Sequence, residues 1–229
     1  MGHRVGAVES QRRGYNHPCL IAQTLDILGD RWTLLILRDL MAGLNRYNDI
    51  LENCGGMSPN VLSDRLKRLE ADGLVTRNYY KELPPRVEYT LTETGWSVRP
   101  ILMALLDWGR DHIGGISPDQ VGQTITADFL VRTLPALQFD ATHLPGLAAT
   151  MTIQITGCTG LDSWTLDVRE GHIYPRRKAC DTADVHLTTN PAGFFEFIHG
   201  RQPAEQCGEL VGSRETAAAI QSCFHSTPE

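Results

Sequence analysis

The strongest constraint in this chain is a change of hydrophobic period within 35 residues. Ser58-Pro59 opens a helix, because serine suits the N-cap and proline the first helical position. Leu62, Leu66 and Leu69 then recur at helical spacing, and Asp72-Gly73 closes the segment. Immediately afterwards the pattern alternates. Residues 74–81 and 86–92, rich in Val, Thr and Tyr, read as two strands joined across Glu82-Leu83-Pro84-Pro85, a hairpin with a stiff tip. Upstream, residues 19–28, 32–41 and about 46–52 carry helical patterns separated by Gly29-Asp30 and Ala42-Gly43. The second of these is apolar nearly all round, which implies burial from several sides. Residues 93–112 read as one longer amphipathic helix bent at Pro100. Three helices, a tight turn, a capped helix and a proline-tipped hairpin give the order of a winged helix-turn-helix.

A DNA-reading helix needs one buried face and one outward face. At roughly 100° per residue, the three leucines share a single narrow face, while Asn60, Ser63, Asp64, Lys67 and Arg68 fall opposite. Arg65 lies at the margin, where a long side chain is expected to snorkel outward. Short hydrogen-bonding side chains suit base edges, and Lys and Arg suit phosphates. An ordinary amphipathic surface helix shows the same division. The hairpin favours DNA, since Lys81 and Arg86 flank its tip where a wing reaches along the backbone or minor groove.

Taken as an average, the formal net charge of −6 opposes a nucleic-acid partner, but the charge is unevenly placed. Residues 1–115 hold 14 Lys/Arg and 14 Asp/Glu, whereas residues 116–229 hold 7 and 13. Between Arg65 and Arg86 six basic residues stand against three acidic ones. Local charge decides a binding surface, so the average excludes nothing. No apolar run is long enough to span a membrane, and the polar N-terminus has no secretory pattern. The expected location is cytoplasmic, and nucleoid-associated when bound to DNA.

Several motifs resemble the HxlR-type regulators. They are Cys19, the run Leu25-Asp26-Ile27-Leu28-Gly29-Asp30-Arg31-Trp32-Thr33-Leu34-Leu35-Ile36-Leu37-Arg38-Asp39-Leu40, Arg46-Tyr47-Asn48-Asp49-Ile50 and Ser58-Pro59-Asn60-Val61-Leu62-Ser63-Asp64-Arg65-Leu66. Leu69-Glu70-Ala71-Asp72-Gly73-Leu74-Val75, Pro84-Pro85-Arg86-Val87-Glu88-Tyr89-Thr90 and Gly95 continue the likeness. It covers about residues 17–113 and implies a bacterial winged-helix transcription factor that dimerises through the terminal helices of this domain. By position, Ser58, Asn60, Val61, Ser63, Arg65 and Arg68 fall on the recognition helix, and Lys81 and Arg86 on the wing. Cys19 occupies a position where some HxlR-type proteins sense oxidants, which makes it a candidate redox sensor. A small residue opening a packed helix is the alternative.

The second half begins after Gly114-Gly115-Ile116-Ser117-Pro118, a linker spanning 114–120. Residues 148–155, 163–169 and 184–189 read as strands, and 191–199 and 213–224 as helices, making an α+β domain over 121–229. Trp164-Thr165-Leu166-Asp167-Val168, Ala183-Asp184-Val185-His186-Leu187 and the segment from Pro191 to Gly200 are similar to the sterol-carrier-protein fold. That likeness implies a tunnel for a small apolar ligand. Trp164, Phe194, Phe195, Phe197 and Ile198 are the candidate lining, with ordinary core packing as the alternative reading. Arg176-Arg177-Lys178 is a candidate for an acidic headgroup or a solvated turn.

The six cysteines are spread singly with no C-x-x-C pair, so no metal site is expected. No catalytic triad, paired carboxylates or phosphate-cradling loop stands out, so neither an enzyme nor a cofactor is expected. The chain therefore reads as an α+β protein in which a flexible arm (1–16) precedes a winged helix-turn-helix and a ligand-binding or dimerisation domain. The expected function is a homodimeric regulator, more naturally a repressor, on a near-palindromic double-stranded DNA operator. A small apolar ligand or oxidation of Cys19 would modulate it. The alternative is a binding protein for lipids or small hydrophobic ligands with a vestigial helix-turn-helix.

Overall fold

A computed structural model describes residues 14–114, 118–121, 126–157 and 162–224. The arm therefore lies largely outside the described residues, as do linker positions 115–117. The first half is built from α1 (Leu20–Leu28), α2 (Thr33–Met41), α3 (Tyr47–Asn53) and α4 (Pro59–Ala71), followed by the antiparallel pair β1 (Val75–Tyr80) and β2 (Arg86–Leu91). The expected single helix over 93–112 is instead two, α5 (Glu93–Trp96) and α6 (Arg99–His112). Pro100 does not bend a continuous helix; it sits in the first turn of α6, where its missing N–H costs nothing.

The second half carries α7 (Ala127–Gln138), a five-stranded sheet, α8 (Pro191–Ile198) and α9 (Arg214–Ser222). The strands are β3 (Ala149–Ile155), β4 (Asp162–Arg169), β5 (His172–Arg176), β6 (Val185–Thr189) and β7 (Glu209–Gly212), in the order β5-β4-β3-β6-β7. Only the central β3–β6 pair is parallel. Ile153 aligns with both Trp164 and Leu187, and Met151 with both Leu166 and Val185. Alternation therefore points one apolar face at the helices. The α+β class holds for the chain, and the sheet-rich second half contains three elements absent from the sequence reading: α7, β5 and β7.

Two cores result. One gathers Ile36, Leu37, Leu40, Ile50, Leu62, Leu66 and Leu69; the other gathers Trp164, Phe194, Phe197, Met151, Ile153 and Leu130. α7 contributes to both. Leu130, Val131 and Leu134 pack into the second core, whereas Leu137 joins the first. α2, apolar on nearly every side, accordingly packs against α3, α6, α7 and β2.

The two halves are fastened by polar contacts as well. The Arg99 guanidinium at the start of α6 donates to the carbonyls of Leu137 and Phe139 at 2.6 and 2.5 Å, and burial lowers its pKa. Trp96 stacks on His172 with ring centroids 5.5 Å apart.

Candidate nucleic-acid interface

α4 is held exactly on the face its leucines define, with Leu62, Leu66 and Leu69 all buried. The Ser58 hydroxyl accepts from the Val61 N–H at 3.4 Å and Pro59 follows it. A second fastening comes from α3. The Tyr47 hydroxyl donates to the Pro59 carbonyl at 2.6 Å and lies 3.1 Å from Ser63 Oγ. The N-terminal end of α4 is therefore fixed by a neighbouring element, which the residue pattern of α4 alone did not disclose.

Of the residues placed on this surface by sequence, Ser58, Asn60, Lys67 and Lys81 are exposed. Val61, Ser63, Arg65, Arg68 and Arg86 are half-buried. Arg65 does not reach outward. Its guanidinium pairs with Asp30, in the turn between α1 and α2, at 2.9 Å. Arg68 pairs with Asp64 one turn earlier at 3.0 Å. Arg86 lies over the Tyr80 ring, 4.6 Å to its centroid, and pairs with Glu82 at 3.1 Å and Glu88 at 3.3 Å. The basic excess between Arg65 and Arg86 is thus partly spent inside the domain. Lys67, Arg77 and Lys81 are exposed, and among the described residues none of them forms an ion pair. At the wing tip Leu83 is 99% exposed.

The wing is seated by β1–β2 pairing from Val75–Leu91 to Tyr80–Arg86 and by the Asn78 amide donating to Thr90 Oγ1 at 2.9 Å. Gly95 packs so tightly on the Leu74 carbonyl that no Cβ fits there, which ties α5 to the base of the wing.

α1 and α6 each expose apolar residues: Leu20, Ile21 and Leu25 on one helix, Ile101, Leu105 and Trp108 on the other. Cys19 is exposed at the start of α1, its amide donating to His17 Nδ1 at 3.1 Å. Arg31, twelve residues after Cys19, lies over the Trp32 ring.

Cys54 differs. It is buried in the turn between α3 and α4, and its thiol donates to Asp39 Oδ2 at 3.1 Å. Burial pushes that thiol up to about 12, and the nearby Asp39 charge adds to the effect.

In the second half Trp164, Phe194, Phe195, Phe197 and Ile198 are all buried in one core. Trp164 satisfies its indole N–H on Asp128 Oδ1 at 2.7 Å, as a buried tryptophan requires. On the other face of the sheet a cleft of about 410 Å³ is lined by Thr165, Arg176, Lys178, Cys180, Asp181 and Thr182. Arg176 also pairs with Asp167 at 3.5 Å.

His143 lies 3.3 Å from Ser222 Oγ, a juxtaposition across 79 residues that sequence could not show. That hydroxyl donates to the Ala219 carbonyl at 2.8 Å, so its proton is not directed at the imidazole. Among the described residues no cluster of three potential metal ligands occurs, and no helix is long and apolar enough to cross a membrane.

A capped, outward-facing helix beside a two-stranded wing defines a winged helix-turn-helix of the DNA-binding kind. Residues 27–116 match the HxlR-like helix-turn-helix family. An HTH-type transcriptional regulator of Synechocystis sp., sll1512, is 40% identical over 97 residues, 42% of this chain and 72% of that protein. YybR, an HTH-type transcriptional regulator of Bacillus subtilis, is 35% identical over 94 residues, 41% of this chain and 75% of that protein. The solved structure of the redox regulator HypR in its oxidized form is 35% identical, covering 41% of this chain and 97% of that one with a TM-score of 0.40. The chain belongs to the HxlR-like helix-turn-helix family, and its second half lies beyond that match.

Proposed function

We propose that the protein is a DNA-binding transcriptional regulator that reads a two-fold operator as a homodimer. The observation that carries this reading is α4: three leucines fix it to the core while its capped N-terminus, Asn60 and Lys67 stay exposed. Lys81 on the wing extends the same surface. The exposed apolar residues of α1 and α6 support the dimer, because apolar patches of this kind on a folded domain mark association sites. An interface made by the same patch on both copies is two-fold, and it sets the spacing of the two recognition helices.

Genomic footprinting supplies the bound fragments, and titrating them against salt tests the chemistry. Lys67→Ala is expected to leave stability unchanged and to lower the slope of log affinity against log salt by about 1 per protomer. An unchanged slope together with unchanged affinity would overturn α4 as the contact surface. Arg65→Ala is a poorer probe, since it also removes the tie to Asp30. A reporter fused to a footprinted promoter separates repression from activation.

We read the appended domain as sterol-carrier-like. The support is a five-stranded sheet with α7, α8 and α9 on one face and a buried aromatic cluster around Trp164. Titration with a fluorescent fatty acid, followed by energy transfer from tryptophan, tests it. Absence of saturable binding would remove the ligand from the regulatory scheme.

A further inference from the structure

α7 meets α2 at two points. From the middle of α7 the Arg132 guanidinium donates to the Gly43 carbonyl, two residues past the end of α2, at 3.0 Å. Nearer its start the Phe129 ring lies beneath the Arg38 guanidinium, 5.2 Å from the centroid. Arg38 is not an ordinary surface cation. Its Nε and Nη2 both reach Asp39 Oδ1, at 2.8 and 2.7 Å.

Asp39 is fully buried in a mostly apolar helix. Its carboxylate also accepts from Asn53 Nδ2 at 2.8 Å and from the Cys54 thiol at 3.1 Å. Asn53 is the last residue of α3, and Cys54 begins the turn into α4. Burial pushes the Asp39 carboxyl upward, and the Arg38 charge is the largest influence opposing it.

We propose that Phe129 and Arg38 are positioning residues through which the second domain holds the turn ahead of α4. The physical chain is short. A carboxylate stays ionised in an interior only when a cation and hydrogen-bond donors offset its lost hydration. Arg38 is that cation, and a guanidinium resting on an aromatic face is held by the ring quadrupole. Without the ring, Arg38 is freer to turn toward water. Asp39 then loses its counter-charge, and the anchor of Asn53 and Cys54 slackens.

The Arg132 contact leads into the core of the appended domain. Trp164 donates to Asp128, and Asp128 pairs with Arg132 at 3.6 Å. A movement at Trp164 therefore has a contiguous polar route to the end of α2. That the braced turn leads to a DNA-reading helix rests on the function proposed above; the brace itself does not.

Hydrogen exchange on the full chain tests the brace without DNA. The amides of Cys54 and Gly55 report on the turn, since they bond to the Ile50 and Glu52 carbonyls. Phe129→Leu keeps an apolar side chain and removes the ring face. It is expected to raise exchange at these two amides by about fivefold to tenfold, with β3 and α9 unchanged, whereas Phe129→Tyr should match the wild type. Alkylation of Cys54 should accelerate in the same variant and in the same proportion. Two results would overturn the proposal: Phe129→Leu exchanging like wild type at the turn, or exchange rising equally throughout both cores, which would make Phe129 a general packing residue. If exchange responds while Lys67→Ala leaves DNA binding intact, the brace stands and the reading of α4 falls.

Discussion

α4 and α7 are close to the same length, 13 and 12 residues, and both begin at a hydroxyl N-cap. They are used in opposite ways. α4 buries three of its thirteen residues, all on one face, whereas α7 buries nine of its twelve. The first contacts a single core; the second is shared between two. What a helix can do is set by how many of its sides the protein covers. A helix covered on one side is free to meet a partner, and a helix covered on two sides joins what lies on either side of it.

The contrast can be broken at several points. The largest effect concerns Cys54, which is buried at the approach to α4 even though α4 itself is open. With its pKa at about 12 in place of the usual 9.0, Cys54 should carry about a thousandfold less thiolate at pH 8 than an ordinary thiol, and react correspondingly slowly with iodoacetamide. A raised pKa means the rate keeps climbing as pH rises toward 12, and unfolding the chain restores the ordinary profile. Rapid labelling of Cys54 in the folded protein would show that the turn opens easily.

Next come the cores. Leu66→Ala in α4 and Leu137→Ala in α7 remove side chains from the same cluster. Each should cost about 2–5 kcal/mol in denaturant unfolding. A cost below about 0.5 kcal/mol at Leu137 would place α7 outside the first core. Arg99→Met should cost about 1.5–3 kcal/mol, because two carbonyls at the end of α7 lose a charged donor.

The smallest effects are at the caps. Thr126 Oγ1 accepts from the Phe129 N–H at 3.0 Å, while Ser58 Oγ stands 3.4 Å from its donor. Thr126→Ala should therefore cost about 1 kcal/mol and Ser58→Ala less than half of that. The opposite ranking would mean that α4, not α7, depends on its cap.

The same comparison explains what the sequence made legible. α4 announces itself, because leucines at helical spacing alternate with polar residues and a Ser-Pro start precedes them. The hairpin does likewise through its change of period. α7 offers no such contrast. Buried on most sides, it has a polar side of only Asp128 and Arg132, its interior contains Val131, Thr133 and Pro135, and only Thr126-Ala127-Asp128 hints at a helix start. β5 is five residues long and contains Pro175, so it lacks the usual strand signature.

At the candidate interface the outward face of α4 was readable, but its partners were not. Asp30 stands 35 residues from Arg65, and periodicity within one helix carries no information about a charge on another. Asp39 follows Arg38 in a mostly apolar helix, and the apolar pattern of that helix masks it. Its donors, Asn53 and Cys54, come from the next helix and could be identified only in three dimensions.

The double membership of α7 has a consequence for cooperativity. Two domains connected by a linker melt separately, and each keeps its own midpoint. Here Leu137 belongs to one core while Leu130 and Leu134, less than two turns away, belong to the other. Melting either core unwinds a helix the other needs. Calorimetry of the intact chain should therefore show one transition, and the protein behaves as a single cooperative unit assembled from two architectures.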